Sequence, residues 1–420
     1  MSVKIKNRFI FCSICIIVGG TISAIVWSFL KIMSLGIKLL WDVVPANIPV
    51  NNILYTFAIC VIGAIIIGLL QKKFGEYPEE LDVVMTKIKR DGRYPYNNIP
   101  IVLVMAILPL LFGASIGPEA GLTGVIVGLC YWAGDKMKFS GQKLKDLTQV
   151  GISASLSAIF FAPFFGFIMP IENNNESDNE NDDNDNSFVF PKKYKTFSLF
   201  LAIGSSVGVF ALLNSIFGGG MGLPHFDNFT FVKSDLIYIV PLVIFGSLLG
   251  MFYYIFEKLT KNLSKALKGK PIVIALIGGV SLATCGVFLP LTMFSGEEET
   301  HTLIENFSSY APFILIATAF IKVFITNLCI HTGWRGGHFF PAIFAGVSLG
   351  YGISLLLPIS PVFAVCIVTA STLGIIMKKP LSVSLLLMLC FPFNSIVFLL
   401  IASFLASIIP IPKIFNANKW

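Results

Sequence analysis

Apolar residues along this chain come in long runs, separated by short polar or charged loops. They lie near 9–27, 53–70, 99–112, 122–132, 150–171 and 197–216, then near 236–256, 272–293, 311–330, 339–357, 362–377 and 381–409. Each run is read as a helix that crosses, or half crosses, a bilayer. A full span needs roughly 20 residues, and several runs are shorter and interrupted by Gly or Pro, which predicts broken helices. Lipid cannot satisfy a free N–H or C=O, so irregular backbone at membrane depth is tolerated only where protein buries it or where it lines a polar cavity. The pattern therefore predicts an all-α polytopic membrane protein with a functional interior.

Composition agrees with that pattern. Of 420 residues 55% are hydrophobic and 13% charged, with a mean hydropathy of +0.82; a soluble domain carries about 25% charged residues. The start, "MSVKIKNRFIFCSICIIVGG", is basic and then apolar for longer than a cleaved signal, so it is read as a retained first helix. Lys4, Lys6 and Arg8, with the basic loops 71–93 and 135–145, predict a cytoplasmic N-terminus. The net charge of +7 reflects these loops. No basic stretch is interleaved with stacking aromatics, which argues against a nucleic-acid partner. The eight cysteines lie in apolar runs rather than spaced loops, which argues against a disulfide framework, and the C-x-x-C at 12–15 falls inside the first helix.

One segment departs from the rest. "IENNNESDNENDDNDNSF" (171–188) is too polar to bury surface, so an acidic disordered loop is expected over 173–191. It lacks the glycine and ordered spacing of a calcium loop. Around it runs an internal echo: Gly117 precedes Pro163 by 46 positions (163 − 117) and Gly333 precedes Pro380 by 47 (380 − 333). Each half reads as a Gly-rich break, a small-residue helix, a second helix, then Pro and another apolar run. This predicts one transmembrane domain over 1–420 built of two repeats, about 50–215 and 235–410, with a substrate site between them. No cytoplasmic regulatory domain is expected after it.

The breaks suggest the chemistry. A helix that begins inside a membrane presents unpaired N–H groups and about half a positive charge at its N-terminus, which attracts anions. Gly117 and Pro118 fit such a start, as do Gly336 and Gly337 ahead of "HFFPAIFAG". Backbone amides bind an anion without the full charge that would trap it. Lys322 is an intramembrane cation whose stem is expected to snorkel to an interface. Glu119 follows the first break directly. An ionised carboxylate at the bilayer centre costs about 2.5–3.5 kcal/mol on insertion scales, so Glu119 is read as functional: it can occupy the anion site, block it, and vacate it.

With both breaks in view, the chain resembles the CLC chloride channels and proton/chloride antiporters. "GPEAG" (117–121) is similar to that family's G-R-E-G-P signature, "GGHFFP" (336–341) to its G-G-I-F-A-P, and "FFAPFFGFIMPIE" (160–172) to its N-A-P-L-A-G segment with a trailing acid. "KKPLSVSLLLML" resembles the corresponding second-half segment. The resemblance runs over roughly 10–410. It implies a homodimer, one anion pathway per subunit, and inverted repeats of tilted, broken helices. It places Glu119 at the gating-glutamate position, with the backbone near Gly117, Pro118, Glu119 and Ala120 and near Gly336, Gly337, His338 and Phe339 facing the anion.

The departures matter as much. Where the family has a serine in G-S-G-I-P, this chain has Gly75 in "FGEYPE" (74–79), so that hydroxyl is missing. The antiporters' inner carboxylate falls on Asn173, or on Glu172 if the alignment slips by one, and Phe415 is the nearest counterpart of the inner tyrosine. An amide relays no proton as an acid does. The sequence thus favours channel-like conduction of a small anion, chloride first, with weak or absent proton coupling. A proton-coupled chloride or fluoride antiporter is the alternative. No metal or cofactor is expected, and the protein is placed in a bacterial plasma membrane, its Lys-, Ile-, Phe- and Asn-rich usage suggesting an AT-rich genome.

Three other readings compete. "GASIG" (113–117) matches the G-x-S-x-G nucleophile elbow, which would make Ser115 a serine hydrolase nucleophile with His331 or His338 as base. The two histidines, seven apart, lack the spacing of a zinc site. Arg335 between them is read as an interfacial anchor or as a cation that concentrates anions at a pore mouth. A cation/proton symporter would need carboxylates in both halves, and the second half has none after Asn306.

Overall fold

The computed structural model describes residues 3–412 apart from 80–82, 85, 86, 88–92, 97, 139–141, 176–192, 219–222, 227, 228 and 230. Among the described residues the regular structure is helical: α1 (Val3–Lys38), α2 (Asn52–Phe74), α3 (Ile99–Leu111), α4 (Glu119–Lys136), α5 (Gln142–Ile159), α6 (Pro163–Asn175), α7 (Lys193–Phe217) and α8 (Ile239–Ala266). The order continues with α9 (Pro271–Phe288), α10 (Glu297–Asn306), α11 (Pro312–His331), α12 (Phe339–Ser354), α13 (Pro361–Met377), α14 (Pro380–Leu387) and α15 (Ile396–Ile408). Six helical stretches, including α2, α9 and α11, are long and apolar enough to cross a membrane.

The runs locate these helices but misjudge their ends. The run at 150–171 is two helices, because the chain reverses at Phe161, whose φ is +54°, and restarts at Pro163. The run at 381–409 is likewise split into α14 and α15. The first helix extends well past residue 27 and passes through a π-helical turn, Leu39–Val43. α6 carries the helix on to Asn175, so the first three residues of the expected acidic loop are helical. The stretch 176–192 lies outside the described residues.

The chain packs as two compact units interleaved along the sequence: Met1–Ser34, Pro78–Val104 and Glu119–Gly222 in one, and Leu35–Tyr77, Met105–Pro118 and Leu223–Trp420 in the other. This division by packing differs from the expected division by repeat, because α2 of the first half lies on α9 of the second: a Cβ on Gly68 would stand 2.7 Å from Ile272 Cα. In the first unit α1 runs against α7, tied by Trp27 Nε1 donating to Asn214 Oδ1 at 2.8 Å. A Cβ on Gly151 of α5 would meet Cys130 Sγ of α4 at 2.3 Å, so these two helices touch through a missing side chain.

In the second unit α12 and α13 are buried on nearly every face. A helix apolar all round belongs inside protein rather than at a boundary, and here the close approach depends on small residues, as membrane helix packing does. A Cβ on Gly350 would lie 2.5 Å from Val365 Cα. With 16 residues, α12 is about 24 Å long, shorter than the hydrocarbon core of about 30 Å. Starting such a helix at one surface would leave its other end inside.

Candidate functional site: two paired chain breaks

Two breaks of the same design interrupt the second unit and lead into α4 and α12. The first begins where α3 ends at Leu111; Gly113 turns with φ +83°. The second begins where α11 ends at His331; Gly333 turns with φ +95°. Only glycine adopts such a φ without strain. Four residues after each turning glycine comes a second glycine, and two residues after that a helix starts, at Glu119 and at Phe339. Both sets share an offset of 220 positions (337 − 117). The register of the internal echo is therefore Gly117 with Gly337, rather than with Gly333 as the spacing to the later prolines implied.

These equivalent glycines are joined. Gly117 N–H donates to Gly337 C=O at 2.8 Å, and Gly337 N–H donates to Gly117 C=O at 2.7 Å. A reciprocal pair between equivalent positions is what a local two-fold relation produces. Next to it, a Cβ on Gly336 would stand 2.9 Å from Gly117 O and 2.4 Å from Ile116 Cδ1, so the strands of the two breaks touch backbone to backbone. Pro118 lies just ahead of α4 rather than in its first turn. Glu119, 4% exposed, is that helix's first residue, and Thr123 Oγ1 donates to its carbonyl at 2.7 Å. Ala120 is buried beside it. His338 occupies the N-cap position of α12 without a side-chain cap, its ring 5.4 Å from that of Tyr253 and 4.7 Å from that of Phe339.

Each break is held by groups that the sequence did not announce. Phe294 N–H donates to Gly113 C=O at 3.1 Å, and Trp41 Nε1 donates to Leu111 C=O at 2.9 Å. The ring of Trp41 lies edge-on to Phe294, 5.3 Å away. Behind this loop Lys322 is fully buried: its ammonium donates to the carbonyls of Thr292, Met293 and Phe294 at 3.2, 2.7 and 2.8 Å and lies 4.9 Å from the centre of the Phe344 ring. Snorkelling is thus overturned, because three carbonyls and a ring face replace the water that the ammonium would otherwise seek. Glu299, in the first turn of α10, buries its Oε2 with no hydrogen-bond partner. Burial pushes its carboxyl above the usual range, partly offset by the nearby charge of Lys322. The signal for this cluster was the run "SGEEE" beside a lone cation in an apolar helix.

At the second break Thr332 Oγ1 donates to Leu328 C=O at 2.6 Å, Trp334 Nε1 to Ala275 C=O at 3.0 Å, and Gln71 Nε2 to Gly333 C=O at 2.5 Å. Arg335 pairs with Glu76, in the loop that Gly75 opens.

The remaining sequence candidates divide. Ser115 is buried and its hydroxyl is 3.0 Å from that of Thr326. It sits between two helices and not on the strand-to-helix turn of a nucleophile elbow. His331 Nδ1 is 2.8 Å from Asn327 O and 2.9 Å from Thr260 Oγ1, so that nitrogen is engaged within its own neighbourhood. Glu172 and Asn173 are consecutive on α6. Phe415 lies outside the described residues.

An all-helical membrane domain whose interrupted helices restart at a paired pair of Gly-rich breaks defines a broken-helix transport protein. Residues 63–410 match the family model described as voltage gated chloride channel. The chain belongs to that family, the CLC proteins, and the coarse function that follows is anion transport across a membrane. It is similar to the putative ion-transport protein YfeO of Shigella flexneri, 24% identical over 378 residues, 86% of this chain and 82% of the relative. The YfeO of Escherichia coli O127:H6 is likewise 24% identical, with the same coverage. Among solved structures the fold is similar to a CLC-type fluoride/proton antiporter, at a TM-score of 0.74, 16% identity, and 98% and 97% coverage. A slow cyanobacterial Cl−/H+ antiporter gives a TM-score of 0.74 at 18% identity, covering 94% of this chain and 93% of that one.

Proposed function

We propose that the protein passes small monovalent anions, chloride first, down their gradient, with the N-terminal backbone of α4 and α12 as the anion's ligands and Glu119 as the gate. The observation that carries this reading is the Gly117–Gly337 pair. It ties together two breaks, from each of which a helix begins two residues later. Amides at a helix start have no partner within the helix and carry partial positive charge, so a passing anion supplies what they lack. Glu119 brings its own negative charge to one of these starts and competes with the anion for it. The protein acts as a homodimer in the bacterial plasma membrane, N-terminus inside, with lipid as its other partner.

Channel-like conduction is favoured because Asn173, at the proton-relay position that the resemblance assigns, is an amide. The second reading, a proton-coupled chloride or fluoride antiporter, draws on Glu172, one residue away, and on the two similar structures, which are those of proton antiporters. Reversal potentials of the purified protein in planar bilayers, under opposed chloride and proton gradients, separate the two. A potential set by chloride alone supports conduction; a fixed anion-to-proton ratio establishes exchange.

A further inference from the structure

Arg335 stands in the second break, two residues before Gly337. Its Nη2 is 2.5 Å from Glu76 Oε2; the Glu76 side chain is 81% exposed and that of Arg335 27%. Its Nε is buried and has no hydrogen-bond partner. Five donors sit in a fixed fork on a guanidinium, and one of them here points inward unused.

The ion pair is not what holds the loop. On the N-terminal side, Gln71 grips the Gly333 carbonyl, Trp334 N–H donates to Cys329 C=O at 2.9 Å, and the buried indole of Trp334 donates to Ala275. On the C-terminal side, Gly337 is fastened to Gly117. The backbone of Arg335 is thus pinned at both flanks without Glu76. The Glu76 carboxylate, on a side chain 81% exposed, covers one side of a guanidinium whose side chain is 27% exposed, and a pair this open to water on one side contributes little to stability. Lys72 and Lys73, exposed in the last turn of α2, add positive charge to the same stretch of chain.

We propose that Arg335 is an anion-binding residue at the water-accessible edge of the second break, taking a small inorganic monovalent anion such as a halide, and that the Glu76 carboxylate is a tethered competitor. In the absence of an anion Glu76 holds the fork. An arriving anion displaces it, and the flexible, exposed Glu76 side chain swings into water. This rests on the transport reading of the same site and extends it with a capture step before the amides.

The test compares three variants of the full-length protein in liposomes, with chloride flux measured against chloride concentration at constant ionic strength. Arg335→Gln raises the half-saturating chloride concentration about fivefold, the ratio carried by one unit charge about 4 Å away through water. Glu76→Gln lowers it, and the double variant behaves as Arg335→Gln. A merely structural ion pair would move both single variants the same way, and that result, or no shift in either, overturns the proposal. The same comparison is made by titrating the detergent-solubilised protein with chloride and following tryptophan fluorescence, which needs no flux. If the wild type conducts no anion yet binds chloride with these opposite shifts, the capture site stands and the transport reading falls. Conduction that depends on Glu119 and ignores Arg335 leaves transport standing and removes the capture site.

Discussion

Gly117 and Gly337, 220 positions apart, exchange both of their backbone hydrogen bonds. The two turns that precede them are consequently held in one register. Gly336 lies against this pair with no room for a side chain. Gly336→Ala forces a Cβ toward a carbonyl oxygen that cannot retreat without breaking the pair. Overpacking of this kind costs about 1–3 kcal/mol. The expected outcome is a lowered thermal midpoint in detergent together with lost anion flux. A variant with wild-type flux would show that the closeness of the breaks is incidental to transport.

Glu119 is the acid at the start of α4. Glu119→Gln keeps the shape and removes the charge, so the competition with a permeant anion disappears. Chloride flux is expected to differ in rate from that of the wild type. Stopped-flow or electrode-based efflux measures it, and an unchanged flux would remove Glu119 from the mechanism.

Lys322 holds the loop behind the first break through three carbonyls. Lys322→Met removes the donor, leaves those carbonyls unpaired and strands the charge of Glu299. Removing one partner of a buried charged set costs about 3–5 kcal/mol, and thermal unfolding in detergent should show it. In the double variant with Glu299→Gln part of that loss returns, since the stranded charge is gone. Additive losses in such a cycle would mean that the two residues are not coupled.

The pH dependence of stability has a definite sign at Glu299. Its folded-state pKa is raised by burial, so the folded protein binds more protons than the unfolded chain between the unfolded and the folded values. Stability falls as pH climbs through that window, which opens at the ordinary glutamate value. Glu299→Gln flattens this slope. Unfolding midpoints recorded from pH 4 to 8 test it; a slope as steep in the variant as in the wild type would assign it to another group.

Ser115 donates to or accepts from Thr326 and nothing else about it suggests chemistry. Ser115→Ala is expected to cost about 1 kcal/mol, the net value of one hydrogen bond, and to leave anion flux within about twofold. Labelling of the wild type by a fluorophosphonate, abolished in the variant, would reopen the hydrolase reading.

Much of this protein could be read from its chain alone. Membrane class, helical content, the two Gly-rich breaks, and Glu119 as an acid among apolar residues are local properties. Each depends on whether neighbours within one or two turns are apolar, or are Gly or Pro. The partners of the buried polar groups are not local. Lys322 and the carbonyls it binds are about 30 positions apart, Arg335 and Glu76 differ by 259 positions, and the paired glycines by 220. The echo between the halves even gave the wrong register, because the distance to a later proline varies with helix length while the hydrogen-bonded pair does not. Residues 150–171 looked like one span since an apolar run carries no mark of a backbone reversal at Phe161. A donor deep in a membrane must find an acceptor, and which one it finds is decided only when distant helices pack. That is why the breaks were visible beforehand and their pairing was not.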